Sequence, residues 1–299
     1  MKILITGNNG YIGSVLTEML INLGHDVTGL DTNFFFDCNL IEDKFIVKQI
    51  NKDIRNITEE DLEGFEAIIH LAALSNDPLG ELSPNITKMI NFQSTLNLAT
   101  LAKKCKIKRF IYASSQSMYG ISKTSKILEE DAPKSPLTVY ATTKWNAEIE
   151  LKKLNNKNFT IVCFRPSTVF GSSPRLRCDI VFNNLVGCAL TTGKIEIMSD
   201  GSPWRPVVHI NDACNAFIAG LTAPVELISG QSFNVGVEGG NYTIKTLAEI
   251  AKNLISGCDL IFLNQHSDPR TYKISFKKIH SILKDYFKPK WNLDNGGLE

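Results

Sequence analysis

The segment TGNNGYIG, residues 6–13, places three glycines at a three-residue spacing directly after an apolar run. Gly7, Gly10 and Gly13 stand between the strand pattern KILIT and a helix pattern over residues 11–23. Glycines at such a turn allow tight bending, close approach of a pyrophosphate and close helix packing, while the helix N-terminus supplies oriented N–H donors. The segment predicts a dinucleotide-binding unit at the start of the chain, with Tyr11 and Ile12 in the same turn.

Short β-branched runs alternate with longer amphipathic segments through the first half of the chain. Strands are predicted at KILIT, DVTGL, FIVKQ, AIIHLA, RFIYAS and FTIVCF, and helices over residues 11–23, over residues 86–104 and from about residue 139. This alternation is typical of a parallel sheet with helices on both faces. We therefore predict an α/β fold built on a Rossmann-type, doubly wound parallel sheet.

The rhythm becomes irregular after FRPSTVFG, where the loops GSSPR, SDGSPWRP and VEGGNYT separate a few helices. This change predicts a boundary near residue 166. Residues 1–165 would form the nucleotide-binding domain, and residues 166–299 a smaller α/β substrate-binding domain. Residues 206–225, which include VHINDACNAFIAGL, are expected to pack back on the first domain, so that the division is not one clean cut.

Asp31 ends the second predicted strand, 18 residues after Gly13. A carboxylate at this position accepts hydrogen bonds from both hydroxyls of an adenosine ribose, and its charge repels a 2′-phosphate. The predicted cofactor is therefore NAD rather than NADP. The alternative is that Asp31 only begins the following turn.

Charge and cysteine content exclude several classes of protein. The net charge is +1, with 32 basic and 31 acidic residues, and the basic residues are dispersed, which argues against a nucleic-acid partner. Seven cysteines, widely spaced and without a CxxC pair, indicate reduced thiols in a cytoplasmic protein and no metal site. Apolar runs fall short of the roughly 18 residues that a membrane span needs, and the N-terminal run is too short for a signal sequence.

Further motifs follow in a fixed order along nearly the whole chain: HLAA at residues 70–73, SSQSMYG at 114–120, YATTK at 140–144, FRPSTVFG at 164–171 and VHINDA at 208–213. With TGNNGYIG they resemble the extended short-chain dehydrogenase/reductase family, in particular its nucleotide-sugar epimerases and dehydratases. The resemblance implies NAD as cofactor and a nucleotide-diphosphate sugar as substrate.

The resemblance implies additional cofactor contacts after the third and fourth strands. His70 is expected to be a packed strand-end histidine rather than a catalyst. Two of these positions have a simpler alternative: residue 53 fits a solvated aspartate in a turn, and residue 91 fits the polar surface of a helix. The implied cofactor contacts are Asp53, Ile54, Leu71, Ala72, Ala73 and Asn91.

A tyrosine followed by a lysine four residues later occurs three times, at Tyr119 and Lys123, at Tyr140 and Lys144, and at Tyr286 and Lys290. In the resembling family such a pair faces the nicotinamide ribose from one side of a helix, and the cation favours the phenolate that exchanges a proton with a sugar hydroxyl. The pair needs an uninterrupted helix. The first pair lies in a Gly/Ser loop and Pro289 interrupts the third, so Tyr140 and Lys144 are the predicted catalytic and cofactor-binding pair.

The family's catalytic serine or threonine lies three residues before the apolar residue of a (V/M)YG segment. Here it falls on Ser115, 25 residues before Tyr140, with Ser114 and Ser117 as alternatives. Sugar 4,6-dehydratases of the family carry an Asp-Glu pair directly afterwards, where this chain has Gln116 and Ser117. Dehydration of that type is therefore disfavoured, and Gln116 is instead expected to contact the substrate.

The substrate side is implied by arginines in the second half of the chain. SPWRPVVHINDA resembles the family segment whose arginine clamps the nucleotide diphosphate. The loop GSSPRLRCDIVFNN resembles a sub-branch from surface-polysaccharide pathways that acts on NDP-hexoses or NDP-heptoses, and it places Asn184 beside the substrate lid. The implied substrate contacts, besides Ser115 and Gln116, are Arg175, Arg177, Asn183, Arg205 and Arg270.

The resulting hypothesis is an NAD-dependent nucleotide-sugar epimerase that passes through a keto sugar, with hydride transfer at C4. An NDP-sugar C4 dehydrogenase or a 4-keto reductase uses the same residues and stays open, as does a non-catalytic NAD-binding regulatory protein. The family also implies a homodimer formed by residues 86–104 and the helix that carries Tyr140. The apolar positions of these helices fit an ordinary core equally well.

Overall fold

The computed structural model describes residues 1–40, 47–122, 126–265 and 271–298. In chain order its strands are β1 (Lys2–Thr6), β2 (Asp26–Asp31), β3 (Lys48–Asn51), β4 (Ala67–His70), β5 (Arg109–Ala113), β6 (Ile127–Leu128), β7 (Thr160–Pro166), β8 (Thr168–Phe170), β9 (Lys194–Ile197), β10 (Trp204–His209), β11 (Ser232–Val235), β12 (Asn241–Thr243), β13 (Asp259–Phe262) and β14 (Lys273–Ile274). Its helices are α1 (Tyr11–Asn22), α2 (Asp77–Leu82), α3 (Pro84–Lys88), α4 (Ser94–Lys104), α5 (Val139–Leu154), α6 (Val181–Thr192), α7 (Ile210–Thr222), α8 (Val225–Ile228), α9 (Ile244–Leu254), α10 (Lys277–Ile282) and α11 (Leu293–Gly296).

Within these ranges, seven strands form one parallel sheet in the order β11-β7-β5-β4-β1-β2-β3. The order reverses at β1, from which the chain winds first to one side and then to the other, as the doubly wound prediction requires. Carboxyl ends of parallel strands share one edge of the sheet, so the loops after β1, β2, β4 and β5 come together there. That edge carries the candidate site.

The residues of β1 show why both faces of the sheet are covered. Ile3 and Ile5 point to one face and join a core with α1 and α7, whereas Leu4 points to the other and joins a core with α4. Alternating side chains along a strand face opposite sides, and both kinds are fully buried here. The apolar strands therefore form the middle layer of three.

The helix α7 packs against α1. The seventh strand of the sheet, β11, lies still further along the chain, beyond the predicted boundary near residue 166. It pairs in parallel with β7 and leaves every residue of β7 buried. The nucleotide-binding sheet therefore takes a strand that the division at residues 165 and 166 assigned to the substrate side.

The second part of the chain has its own core beside this sheet. The helices α6 and α9 pack on each other and on β9, around Phe182, Leu185 and Leu247. β8 and β10 run parallel, and β12 extends this small sheet on the other side of β10. This unit places the loop of residues 171–180 against the carboxyl edge of the main sheet.

The helix predicted over residues 86–104 is divided. α3 ends at Lys88, a π-helical turn runs through Met89–Gln93, and α4 continues from Ser94. A π-turn widens the helix by one residue per turn and often marks a functional position. The strand predicted at FIVKQ begins later, at Lys48, and residues 45 and 46 lie outside the described residues.

Three further features are the state of the cysteines, the length of the apolar helices and the grouping of residues that could bind a metal. All seven cysteines are free thiols. Among the described residues no helix is long and apolar enough to cross a bilayer. In the same part of the chain, no cluster of three or more histidine, cysteine or acidic side chains is arranged to hold a metal ion.

Candidate active site

The turn after β1 lies directly against the segment that follows β4. Gly7 has φ +76°, and a Cβ there would stand 2.8 Å from the main-chain nitrogen of Ala72. A Cβ on Gly13 would lie 2.0 Å from the Gly7 carbonyl oxygen, so only glycine lets α1 start this close to the turn. Gly10 is the N-cap of α1 and has no side chain to occupy the helix N-terminus. This leaves a backbone surface of the kind that a pyrophosphate occupies.

Asp31 ends β2 with its carboxylate turned toward this glycine turn. Its two oxygens accept main-chain hydrogen bonds from Asn9 at 3.3 Å and Asn33 at 3.1 Å. These bonds use one lone pair on each oxygen, and a carboxylate has about four acceptor positions. Asp31 is therefore held in place with acceptor capacity for two ribose hydroxyls, and the residues present fit NAD.

Leu71, Ala72 and Ala73 follow β4 and form the wall opposite the glycine turn. The main-chain nitrogens of Leu71 and Ala72 donate to the main-chain oxygen of Thr6 at 3.0 Å and to its hydroxyl at 3.3 Å. These bonds fix the wall on the end of β1. The predicted cofactor contacts of this segment thus lie beside the glycines.

His70 is 1% exposed, and its ring nitrogens bond to the hydroxyls of Thr6 at 2.6 Å and Thr95 at 2.8 Å. Burial lowers the pKa of His70 to about 3, with a smaller contribution from Lys144. The ring is neutral and fully engaged at ordinary pH. The prediction of a packed strand-end histidine is confirmed.

Three side chains predicted to contact the cofactor are engaged elsewhere. Asp53 accepts from the Arg55 side chain at 2.7 Å and 3.0 Å, and these hydrogen bonds lower the pKa of its carboxyl. Ile54 lies in the core beneath β3, so only its main chain is available. Asn91, in the π-helical turn, pairs its amide with the main chain of Leu74, accepting at 2.8 Å and donating at 3.0 Å. Asn91 therefore supports the wall of the site from behind.

Tyr140 and Lys144 occupy the first turns of α5, one turn apart. Thr138 is the N-cap residue, and its hydroxyl accepts from the main-chain nitrogen of Ala141 at 3.1 Å. The other two tyrosine and lysine matches are not arranged in this way. The Tyr119 hydroxyl lies in the interior bonded to Asn234 and Arg165, and Lys123 lies outside the described residues. Tyr286 and Lys290 share no helix.

Ser115 lies two residues after the end of β5, at the N-cap of a 3₁₀ turn, and its hydroxyl lies close enough to Tyr140 to lower the pKa of the phenol. The Ser117 nitrogen and hydroxyl both donate to the Ser115 oxygen, at 3.2 Å and 2.9 Å. Ser115 therefore directs its own proton toward Tyr140. The hydroxyl of Ser114 instead donates to buried Glu148 at 2.7 Å. Of the three serines, Ser115 is the one whose hydroxyl affects the pKa of Tyr140.

Gln116 does not face the site. It is 1% exposed; its amide nitrogen donates to the main-chain oxygens of Arg165 at 2.9 Å and Val235 at 3.3 Å, and its oxygen accepts from Ser167 at 3.2 Å. The predicted substrate contact at Gln116 is wrong because every polar atom of this side chain is used inside the fold.

The charges around Tyr140 differ from the simple expectation of a lysine beside a phenol. The Lys144 ammonium donates to the Ala113 carbonyl at 2.8 Å and lies 6.0 Å from the Tyr140 ring centre. Burial lowers the pKa of Lys144 to about 7. Burial also raises the pKa of Tyr140, while the Ser115 hydrogen bond and the positive charge of Arg177 lower it and the negative charge of Asp77 raises it.

The arginine loop reaches the site through Arg177. Its guanidinium forms a two-bond ion pair with Asp179, at 2.6 Å and 2.9 Å, and donates to the Ser75 hydroxyl at 3.2 Å. Asn76 donates to Asp179 at 2.7 Å. The predicted substrate residue Arg177 lies close enough to Tyr140 for its positive charge to lower the pKa of the phenol.

Two further predicted residues join the cofactor and substrate sides. Asn183 accepts from the Gly171 nitrogen at 3.1 Å and donates to the Tyr11 phenol at 3.2 Å and the Arg177 carbonyl at 3.0 Å. The Tyr11 phenol donates to the Gly171 carbonyl at 2.8 Å. The side chains of Tyr11 and Asn183 form these hydrogen bonds with the loop and with each other. The contacts of Tyr11, the first residue of α1, with the cofactor and of Asn183 with the substrate stay predictions.

The remaining predicted substrate residues are less enclosed. Arg175 lies over the Phe35 ring, 4.9 Å from its centre, and Asn184 donates to the Cys178 carbonyl at 3.0 Å. Arg205, on β10, donates to the carbonyl of Trp204 at 2.9 Å. Arg270 lies outside the described residues.

The sequence reasoning missed the segment of Ser75, Asn76 and Asp77. Its residues contact, in turn, Arg177, Asp179 and Thr138, the last at 2.8 Å. The signal was present, because polar residues that follow a strand of a parallel sheet lie at its carboxyl edge. The sequence SND, residues 75–77, follows soon after the strand that ends at His70.

The fold and this arrangement are those of a protein that binds a dinucleotide at the carboxyl edge of a doubly wound sheet, with serine, tyrosine and lysine side chains at the same edge. Residues 3–236 match the NAD dependent epimerase/dehydratase family. The uncharacterized UDP-glucose epimerase YtcB of Bacillus subtilis (strain 168) is 32% identical over 251 residues, covering 79% of this chain and 77% of that protein. The chain belongs to the NAD dependent epimerase/dehydratase family, and its cofactor is NAD.

Solved structures of two similar proteins carry different activities. The UDP-glucuronic acid 4-epimerase of Bacillus cereus, in complex with UDP-glucuronic acid and NAD, has a TM-score of 0.81 at 26% identity, covering 99% of this chain and 96% of that one. TunA, an NAD dependent NDP-hexosamine 5,6-dehydratase, has a TM-score of 0.86 at 21% identity, covering 100% and 96%. The second likeness shows the fold alone. Reaction type has to be argued from the site.

Proposed function

We propose that this enzyme is a nucleotide-sugar 4-epimerase. The observation that carries the proposal is that Ser115, which follows β5, lies close enough to Tyr140 to lower the pKa of its phenol, while Lys144 follows Tyr140 by one turn on α5. Bound NAD supplies the chemistry of accepting a hydride from C4 of the sugar and returning it to the other face.

The protein residues handle the proton of the same carbon's hydroxyl. Tyr140 removes that proton, and Ser115, whose oxygen already accepts from Ser117, turns its hydroxyl proton from Tyr140 to the reacting oxygen when the sugar is bound. Lys144 donates from its ammonium to the Ala113 carbonyl, and its remaining N–H donors would hold the ribose of bound NAD. On return of the hydride, Tyr140 gives the proton back.

A dehydratase would need a further acid and base beside the sugar. The positions that carry the acidic pair in 4,6-dehydratases are Gln116, which is buried and fully bonded, and Ser117, which donates to Ser115. Neither side chain replaces a carboxylate, and this supports epimerisation over 4,6-dehydration.

A C4 dehydrogenase or 4-keto reductase would use the same three residues, and the proposed test separates it. The purified enzyme is incubated with UDP-, GDP- and dTDP-sugars, while absorbance at 340 nm is followed and product stereochemistry is read by NMR. A C4 epimer without net reduction of NAD is expected. Stoichiometric NADH, or a product that has lost water, would contradict the proposal.

Two variants accompany this assay. Tyr140→Phe should lower turnover by at least about 100-fold, the low end of the usual contribution of general acid–base catalysis, and leave NAD binding intact. Tyr286→Phe alters a half-exposed tyrosine of the same spacing pattern and should behave as the parent. Equal activity of Tyr140→Phe and the parent would refute the mechanism.

The quaternary state and the cellular compartment are further proposals. α2, α3, the adjoining π-turn and α5 expose apolar side chains, with Leu82 82% exposed, which supports a homodimer formed by this surface. Sedimentation analysis of Leu82→Lys should show monomer where the parent shows dimer. Seven free thiols support a reducing compartment such as the cytoplasm.

A further inference from the structure

Glu148 is a fully buried carboxylate on the same helix face as Tyr140 and Lys144. The three residues follow one another at four-residue steps along α5, and Glu148 is 0% exposed. Burial alone raises the pKa of such a carboxyl, but hydrogen bonds and charge from Arg165 outweigh burial and hold the pKa of Glu148 at about 2. Glu148 is thus a permanent anion one turn beyond Lys144.

Each oxygen of Glu148 has defined partners. One oxygen accepts from the Ser114 hydroxyl at 2.7 Å and from Arg165 Nε at 3.0 Å. The other accepts from Arg165 Nη2 at 2.5 Å and from the Ser232 hydroxyl at 2.5 Å. One of these partners, Ser114, is the residue directly before Ser115.

Arg165 hydrogen-bonds to the segment on the C-terminal side of Ser115. It is 2% exposed, and its Nη1 donates to the Tyr119 hydroxyl at 2.7 Å. Tyr119 ends the 3₁₀ turn Gln116–Tyr119 that begins directly after Ser115. The ion pair therefore holds the chain both before and after the serine.

We propose that the buried pair of Glu148 and Arg165 is a positioning element of the active site, which fixes the backbone of residues 114–119 so that the Ser115 hydroxyl meets Tyr140. Because Glu148 lies on α5, the ion pair fixes the position of residues 114–119 relative to the helix that carries Tyr140. The inference rests on the proposed function of Ser115 and Tyr140.

The contacts favour positioning over simple stabilisation. Replacing a buried ion pair by apolar side chains is often neutral for stability, so such a pair is weak evidence of a stabilising function. Here the pair, which also bonds to Ser232 and to the Glu130 carbonyl, contacts the segment around Ser115 at both ends, through Ser114 and Tyr119. A displacement of about 1 Å at a reacting group can cost about 100-fold in rate.

Two serines on the same carboxylate provide a matched test. Ser114→Ala and Ser232→Ala each remove one hydroxyl that donates to Glu148, from residues that are 4% and 3% exposed. Only Ser114 adjoins Ser115. Ser114→Ala should lower kcat about 10- to 100-fold with KM and NAD binding retained, whereas Ser232→Ala should keep the kcat of the parent.

A second variant acts at the other end of the segment. Tyr119→Phe removes the hydroxyl that Arg165 holds and should lower kcat in the same way. In a Ser115→Ala background, the effects of Ser114→Ala and Tyr119→Phe on kcat should disappear, because there is no hydroxyl left to position. A purely structural function would leave these effects unchanged in that background.

The outcomes are distinguishable from failure of the proposed function. If Tyr140→Phe is inactive but Ser114→Ala and Ser232→Ala have equal kcat, the positioning inference is overturned and the mechanism stands. Full persistence of the Ser114→Ala effect in the Ser115→Ala background also overturns it. If Tyr140→Phe keeps parental activity, the proposed function itself has failed.

Discussion

Thr138, the N-cap residue of the catalytic helix α5, donates a hydrogen bond of 2.8 Å to the carboxylate of Asp77 in α2. The start of α5 is thereby fixed to the segment that also contacts Arg177 and Asp179. The same carboxylate lies close enough to Tyr140 for its negative charge to raise the pKa of the phenol, against the positive charge of Arg177. Burial, which raises the pKa of Tyr140, and the hydrogen bond from Ser115, which lowers it, are the larger causes, and these two opposite charges shift it further.

Asp77→Asn should move the acid limb of the kcat/KM profile to lower pH. The amide keeps an acceptor for Thr138 but removes the negative charge, so the Tyr140 pKa falls and more phenolate is present at a given pH. Arg177→Met removes the opposing charge and should move the limb to higher pH, in addition to any change in KM. Shifts of both variants in one direction would contradict this electrostatic account.

Asp31→Ala should weaken NAD binding by about 10- to 100-fold and reduce the preference for NAD over NADP. The carboxylate is oriented by Asn9 and Asn33, and its hydrogen bonds to ribose hydroxyls are charge-assisted, at about 1.5–3 kcal/mol. Titration calorimetry with both dinucleotides measures the change. Asp26→Ala, at the exposed far end of the same strand, is the control and should bind as the parent. An unaltered preference in Asp31→Ala would remove Asp31 from the cofactor site.

Gly13→Ala should abolish NAD binding or cost about 1–3 kcal/mol of stability, because the new Cβ would lie 2.0 Å from the Gly7 oxygen and force the turn away from α1. The matched substitution is Gly187→Ala in α6, where a Cβ meets no atom within 4 Å. It should be neutral or stabilise by up to about 1 kcal/mol, as alanine favours a helix. Thermal unfolding and NAD titration compare the two. Equal behaviour of both variants would show that the close approach at Gly13 is not required.

Lys144→Met should stabilise the dinucleotide-free protein at pH 7 while removing activity. Burial lowers the folded-state pKa of Lys144 to about 7, so the unfolded chain binds the proton more tightly and the parent loses stability on this account below about pH 10. After allowing for the hydrogen bond to Ala113, the gain should be about 1–3 kcal/mol. The advantage should shrink as pH rises from 7 to 10, since the lysine is then neutral in both states. A gain that grows with pH would contradict this assignment.

The local features of this fold could be predicted from sequence. The turn at Gly7, the helix after it and the acid at Asp31 depend on neighbours in the chain, and alternating apolar residues fixed both faces of β1. Helix continuity likewise selected Tyr140 among three tyrosines with the same spacing.

Features that depend on distant partners could not be predicted. Gln116 is buried by partners 49, 51 and 119 residues away, and nothing in SSQSMYG shows this. The contact of Asn76 with Asp179 spans 103 residues. The sequence could therefore indicate the substrate loop but not the segment that this loop contacts. The same limit explains why the hydrogen bond between Tyr11 and Asn183, 172 residues apart, could not be predicted.

The pairing of β11 with β7 has a consequence for synthesis and folding of the chain. Until residue 235 has left the ribosome, the apolar strand β7 is an unpaired edge, the kind of edge that recruits strands from other molecules. The nucleotide-binding half therefore cannot finish folding as the first product of translation, and a fragment that stops at residue 165 should aggregate. The later part of the chain, through β11, therefore covers a strand edge that the earlier part leaves exposed.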